Sequence, residues 1–463
     1  MSSPQIVWLR RDLRLADNPA LYHAAKAGPL VCVFVLDDES AKHHAYGGAS
    51  RWWLHHSLER LSNSLAKRHA KLILRRGDAV EELAKVAKQT GATAIHANRH
   101  YEPWWRKAQK KLAESHDLQL YDGNYLMPPG SVTTGSGDPY KIYTPFSRAM
   151  RSAFPPRDAL PEPETMSSPG SWPASDDLAD WNLLPTKPDW AGGMREFWEV
   201  GEDAAHERLE AWEADVDDYD DKRNFPSVDK VSRLSPHLHF GEISPIQIWH
   251  RFKHKRSDGW RTFEGELIWR DYAQNAICQF PDYATANYRE DFDKFPWRDP
   301  AKDEKAASDL KAWQRGCTGY PIVDAGMRQL WQTGWMHNRV RMITASFLIK
   351  HLLIDWREGE KWFWDCLVDA DYGSNATNWQ WTAGTGVDSN MFSRIMAPLT
   401  QSEKFDGARY IRTYVPELKG LPDAAVHDPE EAGCRPSGYP RKIIAHKAAR
   451  ERALAALKQM KGG

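Results

Sequence analysis

The sequence predicts a parallel α/β sheet domain followed by a large all-α domain. Over the first 125 residues, short apolar strands alternate with helical segments, and beyond about residue 195 helical periodicity dominates. The stretch between about 128 and 188 is rich in Pro, Ser and Gly, as interdomain connections are. We therefore predict an α/β domain over residues 1–130, a connection over 131–195 and a helical domain over 196–463.

The α/β domain is predicted from five apolar segments, which are Ile6–Arg10, Leu30–Leu36, Lys71–Arg75, Thr93–Ala97 and Leu118–Tyr121. Between the third and fourth lies the predicted helix Asp78–Thr90, where Asp78 and Glu81 form a capping-box pair and Gly91 ends the helix. Strands that alternate with helices form a Rossmann-like parallel sheet, which binds ligands at the carboxyl ends of its strands. No GxGxxG or GxxxxGK[ST] motif occurs, so the known nucleotide fingerprints are absent.

The composition is that of an ordinary globular protein, with 41% hydrophobic and 27% charged residues. No apolar run reaches 18 residues and no signal-peptide pattern is present, so we expect a cytoplasmic protein without a membrane span. The five cysteines form no CxxC pair, and we predict neither a disulfide framework nor a metal site. We expect a monomer.

The net charge of −1 conceals a segregation of charges along the chain. Residues 201–221 carry ten acids against the single base Arg208, whereas basic residues cluster at 253–256, at Arg339 and Arg341, and over 441–461. A local basic face can bind phosphates, although solvated helix faces explain 253–256 and the C-terminal cluster equally well. The 22 Trp, against 16 Tyr and 15 Phe, indicate large aromatic cores, an aromatic-walled site or an electron path.

The helical segment 263–272 places Glu266, Trp269 and Arg270 on one face. A carboxylate, a flat indole and a guanidinium together suit a planar ligand with hydrogen-bonding edges. The segment by itself favours a plainer alternative, in which Glu266 and Arg270 form a surface pair beside a core Trp.

Two further segments of the helical half concentrate polar groups. In 334–342, two arginines in a first helical turn oppose the helix dipole, so they need a carboxylate, a phosphate or a cofactor as partner. Asn338 is either a ligand contact or an N-cap there, and Met342 is either a contact or core. Residues 369–381 form either a solvated turn or a magnesium site, although no further carboxylate completes an octahedral shell. Without GxSxG or HExxH, hydrolytic chemistry has little support.

At these segments the sequence closely resembles the photolyase/cryptochrome family, and within it the class I cyclobutane pyrimidine dimer photolyases. The matching motifs run nearly from end to end and are Trp8–Arg14, Tyr143–Phe146, Ser232–Pro236, Glu266–Arg270, Thr318–Ala325, Gly334–Met342 and Asn378–Trp381. The resemblance implies a noncovalent, U-shaped FAD in the helical domain, active in its reduced anionic form. It implies that light-driven electron transfer from this FAD splits cyclobutane dimers in double- or single-stranded UV-damaged DNA.

The resemblance also assigns residues to the cofactor and the substrate. The implied FAD contacts are Tyr219, Val231, Ser232, Arg233, Leu234 and Ser235 towards the phosphates, Arg341, Asp369, Asp371 and Asn375 at the flavin ring, and also Asn338. Val231 stands where the family usually has Thr. The implied walls, floor and base-edge contacts of the dimer site are Glu266, Trp269, Asn338, Met342 and Trp381.

Three further groups of residues follow from the same resemblance. The implied electron relay is Trp297, Trp356 and Trp379. The implied DNA-facing cations are Arg223, Arg270, Arg339, Arg394 and Lys404. Asp37, Arg51 and Glu102 are the implied contacts of an antenna pigment in the α/β domain, for which 8-hydroxy-deazaflavin is favoured over methenyltetrahydrofolate.

Two other functions remain open within the family. A cryptochrome-type blue-light photoreceptor would keep the FAD contacts, and a (6-4) photolyase would carry a His-containing segment in place of Asn338–Met342. A plain flavin redox protein would lack the dimer pocket.

Overall fold

The computed structural model describes residues 3–389 and 391–462. Its α/β half contains one parallel five-stranded sheet with the spatial order β3-β2-β1-β4-β5. The strands are β1 (Gln5–Leu9), β2 (Leu30–Leu36), β3 (Leu72–Arg76), β4 (Ala94–Asn98) and β5 (Leu118–Tyr121). Every predicted strand is therefore present, with bounds shifted by no more than one residue.

Burial explains why the central strands are continuously apolar. Every residue of β1 and β2 is buried, since helices cover both faces of the sheet. The helix predicted over Asp78–Thr90 is present as Ala79–Thr90. Asp78 is its N-cap, with the carboxylate accepting the Glu81 N–H at 3.0 Å, but the return bond of a capping box from the Glu81 side chain is not formed; Gly91 ends the helix with φ of 66°. The α/β domain thus follows its local sequence signals closely.

From residue 192 onwards, the regular secondary structure of the described residues is helical, as the periodicity predicts. In chain order, the α-helices α1 to α20 of the described residues are Pro19–Ala27, Gly48–Ala66, Ala79–Thr90, Pro103–Ala113, Tyr143–Ala153, Gly192–Phe197, Glu202–Trp212, Tyr219–Lys222, Ser235–Phe240, Pro245–Phe252, Asp258–Gln279, Glu304–Gln314, Pro321–Thr333, Asn338–Ser346, Trp356–Cys366, Tyr372–Ala383, Pro398–Lys404, Ala408–Tyr414, Asp423–Val426 and His446–Gly462. None of the helices in the described ranges is long and apolar enough to cross a bilayer.

The Pro-rich connection is bound to the sheet domain and is not a free tether. The Leu30 N–H donates to the Ser167 carbonyl at 2.8 Å, and the Asp176 N–H donates to the Leu74 carbonyl at 2.9 Å. The connection also contains the helix α5, Tyr143–Ala153, which its composition did not predict. This helix packs against α11 and contributes to the site described below.

The carboxyl edge of the sheet faces the helical domain. Arg11, just beyond β1, forms ion pairs with Glu102, just beyond β4, and with Asp371 at the start of α16. Gly241, which follows α9 in the helical domain, lets the backbone of that domain approach the end of β1. A Cβ at this position would lie 2.2 Å from the Arg11 carbonyl oxygen. The sheet edge is thereby fixed against the helices that build the candidate site.

Candidate functional site

A cavity of about 370 Å³ lies in the helical domain, between α11, α14, α15 and α16. Its volume falls within the range of small-molecule sites, about 300–1,000 Å³. All three polar segments of the helical half contribute to it. The predicted site residues that line it are Arg223, Glu266, Trp269, Arg270, Asn338, Arg341, Met342, Asp369, Asp371, Asn375, Trp379 and Trp381.

Arg341 has the carboxylate partner that the helix-dipole argument requires. Its Nη2 lies 2.9 Å from Asp369 Oδ2, and its Nε donates to the Met336 carbonyl at 2.8 Å. The Asp369 side chain is only 4% exposed, so its negative charge depends on this one guanidinium. The pair forms one fixed wall of the cavity.

Asn338 is not the N-cap of α14. The His337 side chain accepts the Arg339 N–H at 3.2 Å, and Asn338 is the first residue of the helix, with an exposed side chain. The N-cap alternative was therefore wrong by one position. The Asn338 amide is available to a ligand in the cavity.

Asp371 caps α16 and joins the two domains. Its Oδ1 accepts the Ser374 N–H at 2.8 Å, and its Oδ2 lies 3.2 Å from Arg11 Nη1. Burial acts to raise the pKa of Asp371, but the positive charge of Arg11, followed by His239, outweighs it and the pKa lies below its ordinary value. Asp371 is thus held ionised at the edge of the cavity.

Residues 369–381 form neither a solvated turn nor a cluster of free carboxylates. Most of the segment is the helix α16, and Asp369 and Asp371 are each paired with an arginine. Among the described residues no three His, Cys, Asp or Glu side chains come together as metal ligands. The magnesium alternative therefore has no supporting geometry.

Glu266, Trp269 and Arg270 lie on one face of α11, as predicted, but Glu266 does not pair with Arg270. Its carboxylate forms an ion pair with Arg223, which follows α8. Arg270 instead donates to the Leu238 carbonyl at 3.1 Å and lies over the Tyr125 ring. The surface-pair alternative was wrong because the partner comes from outside the helix.

Trp269 is fixed from behind by a residue that the sequence assigned to no role in the site. The Tyr143 ring stacks on the Trp269 ring, with 3.4 Å between the ring centroids and an interplanar angle of 5°. Tyr143 Oη donates to the Gly265 carbonyl at 2.9 Å. Trp269, Trp381 and Met342 all line the cavity with partly exposed side chains. The cavity therefore has two indole surfaces that a flat ligand can contact.

The predicted phosphate-side segment, Val231–Ser235, borders a second, smaller cavity of about 160 Å³ through Val231 and Arg233. Arg208 holds the segment by donating to the carbonyls of Val231 and Ser232, at 3.0 and 2.7 Å. Leu234 is fully buried, and Ser235 begins the helix α9. Tyr219 packs in the adjoining core with its ring under the Arg223 guanidinium.

The three tryptophans of the implied relay occupy different depths. Trp379 lines the cavity and is 2% exposed. The centroid of its ring lies 4.9 Å from that of Phe363 and 6.4 Å from that of Trp313. Trp356 is fully buried and donates to Asn287 at 2.8 Å. Trp297 is partly exposed against Phe295. Trp313 is a buried neighbour of Trp379 that no sequence signal identified.

Several of the predicted DNA-facing cations lie close to one another. Arg339 donates to the side-chain oxygen Oδ1 of Asn224 at 2.7 Å and lies 4.4 Å from the centroid of the Phe405 ring, which Lys404 also contacts. Burial first, and then the charges of Arg223 and Arg394, lower the pKa of Arg339 from its ordinary value. Arg223, Arg339 and Arg394 therefore act on one another electrostatically, and Lys404 lies beside Arg339 at the Phe405 ring.

The predicted antenna residues lie in the α/β domain. Asp37 accepts the Ser40 N–H at 2.9 Å, and Arg51 pairs with Asp38 at 2.6 Å. Glu102 has no exposed surface and pairs with Arg11. Their roles towards a pigment stay predictions.

Unpaired polar atoms test whether these residues suit a flavin nucleotide. In the large cavity, Arg270 Nη1 and Thr377 Oγ1 are buried and have no hydrogen-bond partner among the described residues. In the small cavity the same holds for Arg233 Nε and His337 Nε2. Buried polar groups of this kind require partners. A planar ring with polar edges in one cavity and an anionic phosphate in the other fit these donors.

The comparisons with known proteins agree with this geometry. Two family models match the chain: DNA photolyase over residues 5–164, and the FAD binding domain of DNA photolyase over residues 263–459. The deoxyribodipyrimidine photo-lyase of Agrobacterium fabrum is 45% identical over an alignment 481 positions long, which covers 99% of this chain and 98% of that protein.

Two solved structures share the fold. A bacterial class III photolyase from Agrobacterium tumefaciens superposes with a TM-score of 0.93 at 44% identity, covering 100% of this chain and 98% of that one. A cryptochrome from Synechocystis superposes with a TM-score of 0.86 at 28% identity, covering 98% and 99%. The class I assignment has no support from these comparisons, because the Agrobacterium structure is of class III. The chain belongs to the photolyase/cryptochrome family, with a photolyase-type FAD-binding domain in its helical half.

Proposed function

We propose that this chain is a deoxyribodipyrimidine photo-lyase, which uses light to split cyclobutane pyrimidine dimers in DNA. One observation carries the proposal. A single cavity has partly exposed indoles, the Glu266 carboxylate and the Asn338 amide on one side, and the buried Arg341–Asp369 ion pair on the other. The names of the similar proteins point the same way. The arrangement offers a flavin site and a nucleobase site in direct contact.

The proposed flavin site is built from paired charges. Arg341, held by Asp369, and Asp371, held by Arg11, present a donor and an acceptor to the ring edge. The Arg233 guanidinium pairs with Asp229 through Nη2, and its unpaired Nε is the proposed donor to a phosphate. When bound, reduced FAD supplies the light-driven electron donation that opens the dimer ring. The protein positions the reactants, excludes water and stabilises charge, so no side chain acts as a nucleophile.

The proposed dimer site is the open part of the cavity. Photolyases are among the enzymes that flip their target base out of the duplex. Trp269, backed by Tyr143, and Trp381 supply stacking surfaces, and base–aromatic stacking contributes about 1–3 kcal/mol per base. Met342 lines the same part of the cavity and is proposed to contact the dimer from below the two indoles.

Polar recognition of the dimer falls to Glu266 and Asn338. The Glu266 carboxylate accepts from base N–H groups and the Asn338 amide both donates and accepts. Arg223 pairs with Glu266 in the structure and also acts electrostatically on Arg339. We expect a DNA phosphate to compete for Arg223, which would release Glu266 towards the bases.

The predicted DNA-facing cations are proposed to hold the DNA backbone. Arg223 and Arg270 line the cavity, Arg339 lies within electrostatic reach of Arg223 and Arg394, and Lys404 shares the Phe405 ring with Arg339; these five residues are the proposed phosphate contacts. Phosphate contacts of this kind position the duplex without reading its sequence, and they weaken with salt.

The test is a repair assay under blue light. Purified protein loaded with FAD and reduced is expected to convert cyclobutane dimers in DNA to intact thymines, measured by recovery of thymine absorbance, and to leave (6-4) lesions unchanged. A dark sample is the control. Repair of (6-4) lesions alone would identify a (6-4) photolyase instead. FAD binding without repair of either lesion would favour a cryptochrome-type photoreceptor, whose fold the Synechocystis structure shares.

An antenna pigment bound by Asp37 and Arg51 is part of the same proposal, whereas the predicted contact Glu102 has no exposed surface and is engaged by Arg11. The absorbance spectrum of chromophores extracted from the purified protein identifies the pigment. A deazaflavin spectrum would support 8-hydroxy-deazaflavin, and a folate spectrum would support methenyltetrahydrofolate instead. The expected cytoplasmic location and monomeric state stay predictions.

A further inference from the structure

Helix α14 continues into a π-helical turn that contains a buried lysine. The turn spans Phe347–His351, and the Leu352 N–H donates to the Phe347 carbonyl five positions back, at 3.1 Å. Such turns are rare in proteins and are frequent at functional sites. The lysine in this one, Lys350, is only 2% exposed. An ammonium group buried this deeply requires hydrogen-bond partners.

Lys350 finds its partners in the loop that joins α16 to α17. Its Nζ donates to the Met391 carbonyl at 2.9 Å and to the Arg394 carbonyl at 3.0 Å. The Arg394 N–H also donates to the Met391 carbonyl, at 3.0 Å, so residues 391–394 form a β-turn. One ammonium group therefore binds both ends of a four-residue turn.

The same turn exposes Arg394, one of the proposed DNA contacts. The side chains of Ser393 and Arg394 are exposed, whereas Phe392 is buried. The Phe392 ring packs against Phe292 and Phe295, with 5.7 and 4.9 Å between the ring centroids. The turn is thus fixed from the inside by one aromatic ring and one ammonium group, and its arginine lies at the surface.

Core stability does not explain a lysine at position 350. Burial first, and then the positive charge of Arg394, lower the pKa of Lys350 from its ordinary value to about 7, and no carboxylate among the residues that the structure describes offsets these two effects. A buried ammonium without a counter-ion costs folding free energy that an apolar side chain of similar length would not. This cost indicates that the side chain is there for the turn that it holds.

We propose that Lys350 is a positioning residue for DNA binding, which fixes the 391–394 turn so that Arg394 meets a DNA phosphate in a set position. The inference rests on the proposed function, which assigns Arg394 to the DNA backbone. A guanidinium on a fixed turn loses less conformational freedom on binding than one on a free loop, so the same contact contributes more affinity. Lys350 itself does not touch the DNA and acts only through Arg394.

A double-mutant cycle on the full-length, flavin-loaded protein tests this dependence. The probe is a fluorescent duplex that carries one cyclobutane dimer, titrated in the dark at several salt concentrations. Lys350→Met removes the ammonium group and keeps an unbranched side chain, and we expect affinity to fall about two- to tenfold, as loss of one net hydrogen bond does. In an Arg394→Ala background, Lys350→Met is expected to cause no further loss, whereas a general structural role would give additive losses.

The salt dependence gives a second measure of the same contact. Arg394→Ala is expected to lower the slope of log affinity against log salt by about 0.9, as the loss of one phosphate contact does. Lys350→Met should lower the slope by a smaller amount, because Arg394 is still present but no longer fixed.

Trypsin cleavage after Arg394 reports on the turn directly. A protease cuts a segment that leaves its folded conformation, so we expect the bond between Arg394 and Ile395 to be cut faster in Lys350→Met than in the wild type. Mass spectrometry of the fragments measures the rate. Two controls are expected to change neither affinity nor cleavage: Ile349→Leu, buried in the same π-helical turn, and Lys88→Met, exposed on α3. Flavin content should stay at the wild-type level in all of these variants.

Three results overturn the inference: wild-type affinity in Lys350→Met, wild-type affinity in Arg394→Ala, or an equal loss from Lys350→Met in the presence and absence of Arg394. If Lys350→Met does not fold, Lys350→Gln decides. Its side chain is one atom shorter than that of lysine, so a smaller loss is expected, and unchanged affinity with unchanged cleavage counts against the inference. A wild type that binds the duplex but repairs nothing overturns the proposed function alone, because binding is measured in the dark. A wild type that does not bind the duplex overturns both.

Discussion

The two ends of the large cavity are built differently. At its closed end, Arg341, Asp369, Asp371 and Asn375 are held by partners from other elements, and the Asp369 side chain is 4% exposed. At its open end, Glu266 is 32% exposed and its ionic partner, Arg223, is itself partly exposed. Preorganised pairs suit a cofactor that stays bound, whereas a half-solvated pair can exchange its partner for a substrate.

Removal of Arg341 is the strongest test of the closed end. Arg341→Ala leaves the buried Asp369 carboxylate without its partner, and such a loss costs about 3–5 kcal/mol of unfolding free energy. We also expect the variant to retain no FAD. Urea unfolding and the flavin content after purification measure both effects. Lys361→Ala, which removes an exposed pair with Glu358, is the matched control. An Arg341→Ala protein as stable as the control would show that the closed end is not preorganised.

Substitution of Trp379, which lies between the two ends of the cavity, is expected to give the next largest effect. Trp379→Phe is expected to block photoreduction of oxidised flavin and to spare repair by enzyme that is reduced beforehand, because we propose that the Trp379 indole is the electron donor to the flavin ring. Flavin absorbance during illumination measures photoreduction, and the repair assay measures dimer repair. Trp331→Phe, at an exposed surface position, is the control. Unchanged photoreduction in Trp379→Phe would remove this residue from the relay.

Glu266 tests the open end. Glu266→Ala removes a charged hydrogen-bond acceptor for the bases, so we expect repair to slow about 10- to 100-fold while flavin is retained. Glu266→Gln keeps one acceptor oxygen and should lose less. Single-turnover repair by pre-reduced enzyme measures the rates. Repair by Glu266→Ala at the wild-type rate would mean that the open end recognises the dimer without this carboxylate.

The smallest effect is expected at the predicted DNA-facing cations. Lys404→Ala should weaken binding to DNA uniformly across sequences and reduce the slope of log affinity against log salt by about 0.9, as the loss of one phosphate contact does. Lys85→Ala, on α3 in the α/β domain, is the control. Binding titrations at several salt concentrations measure the slope. An unchanged slope would place Lys404 away from the DNA.

Local signals in the sequence predicted the fold well. The strands were placed to within one residue because buried parallel strands are continuously apolar, and Asp78 and Gly91 marked the ends of their helix correctly. The need of Arg341 for an anion also followed from its place in a first helical turn. The helix Tyr143–Ala153 went unpredicted because the composition around it is that of a loop.

What the sequence alone determined is therefore what depends on neighbours within one or two turns: strands, helix ends, and which residues share a face. The partners were decided only by the tertiary structure. Glu266 pairs with Arg223 and not with Arg270, Arg11 reaches Asp371 across 360 positions, and His44 reaches Glu360 across 316. The physical reason is that a buried charge or amide takes whichever complementary group the packed helices bring within 3–4 Å, and no local pattern records that choice.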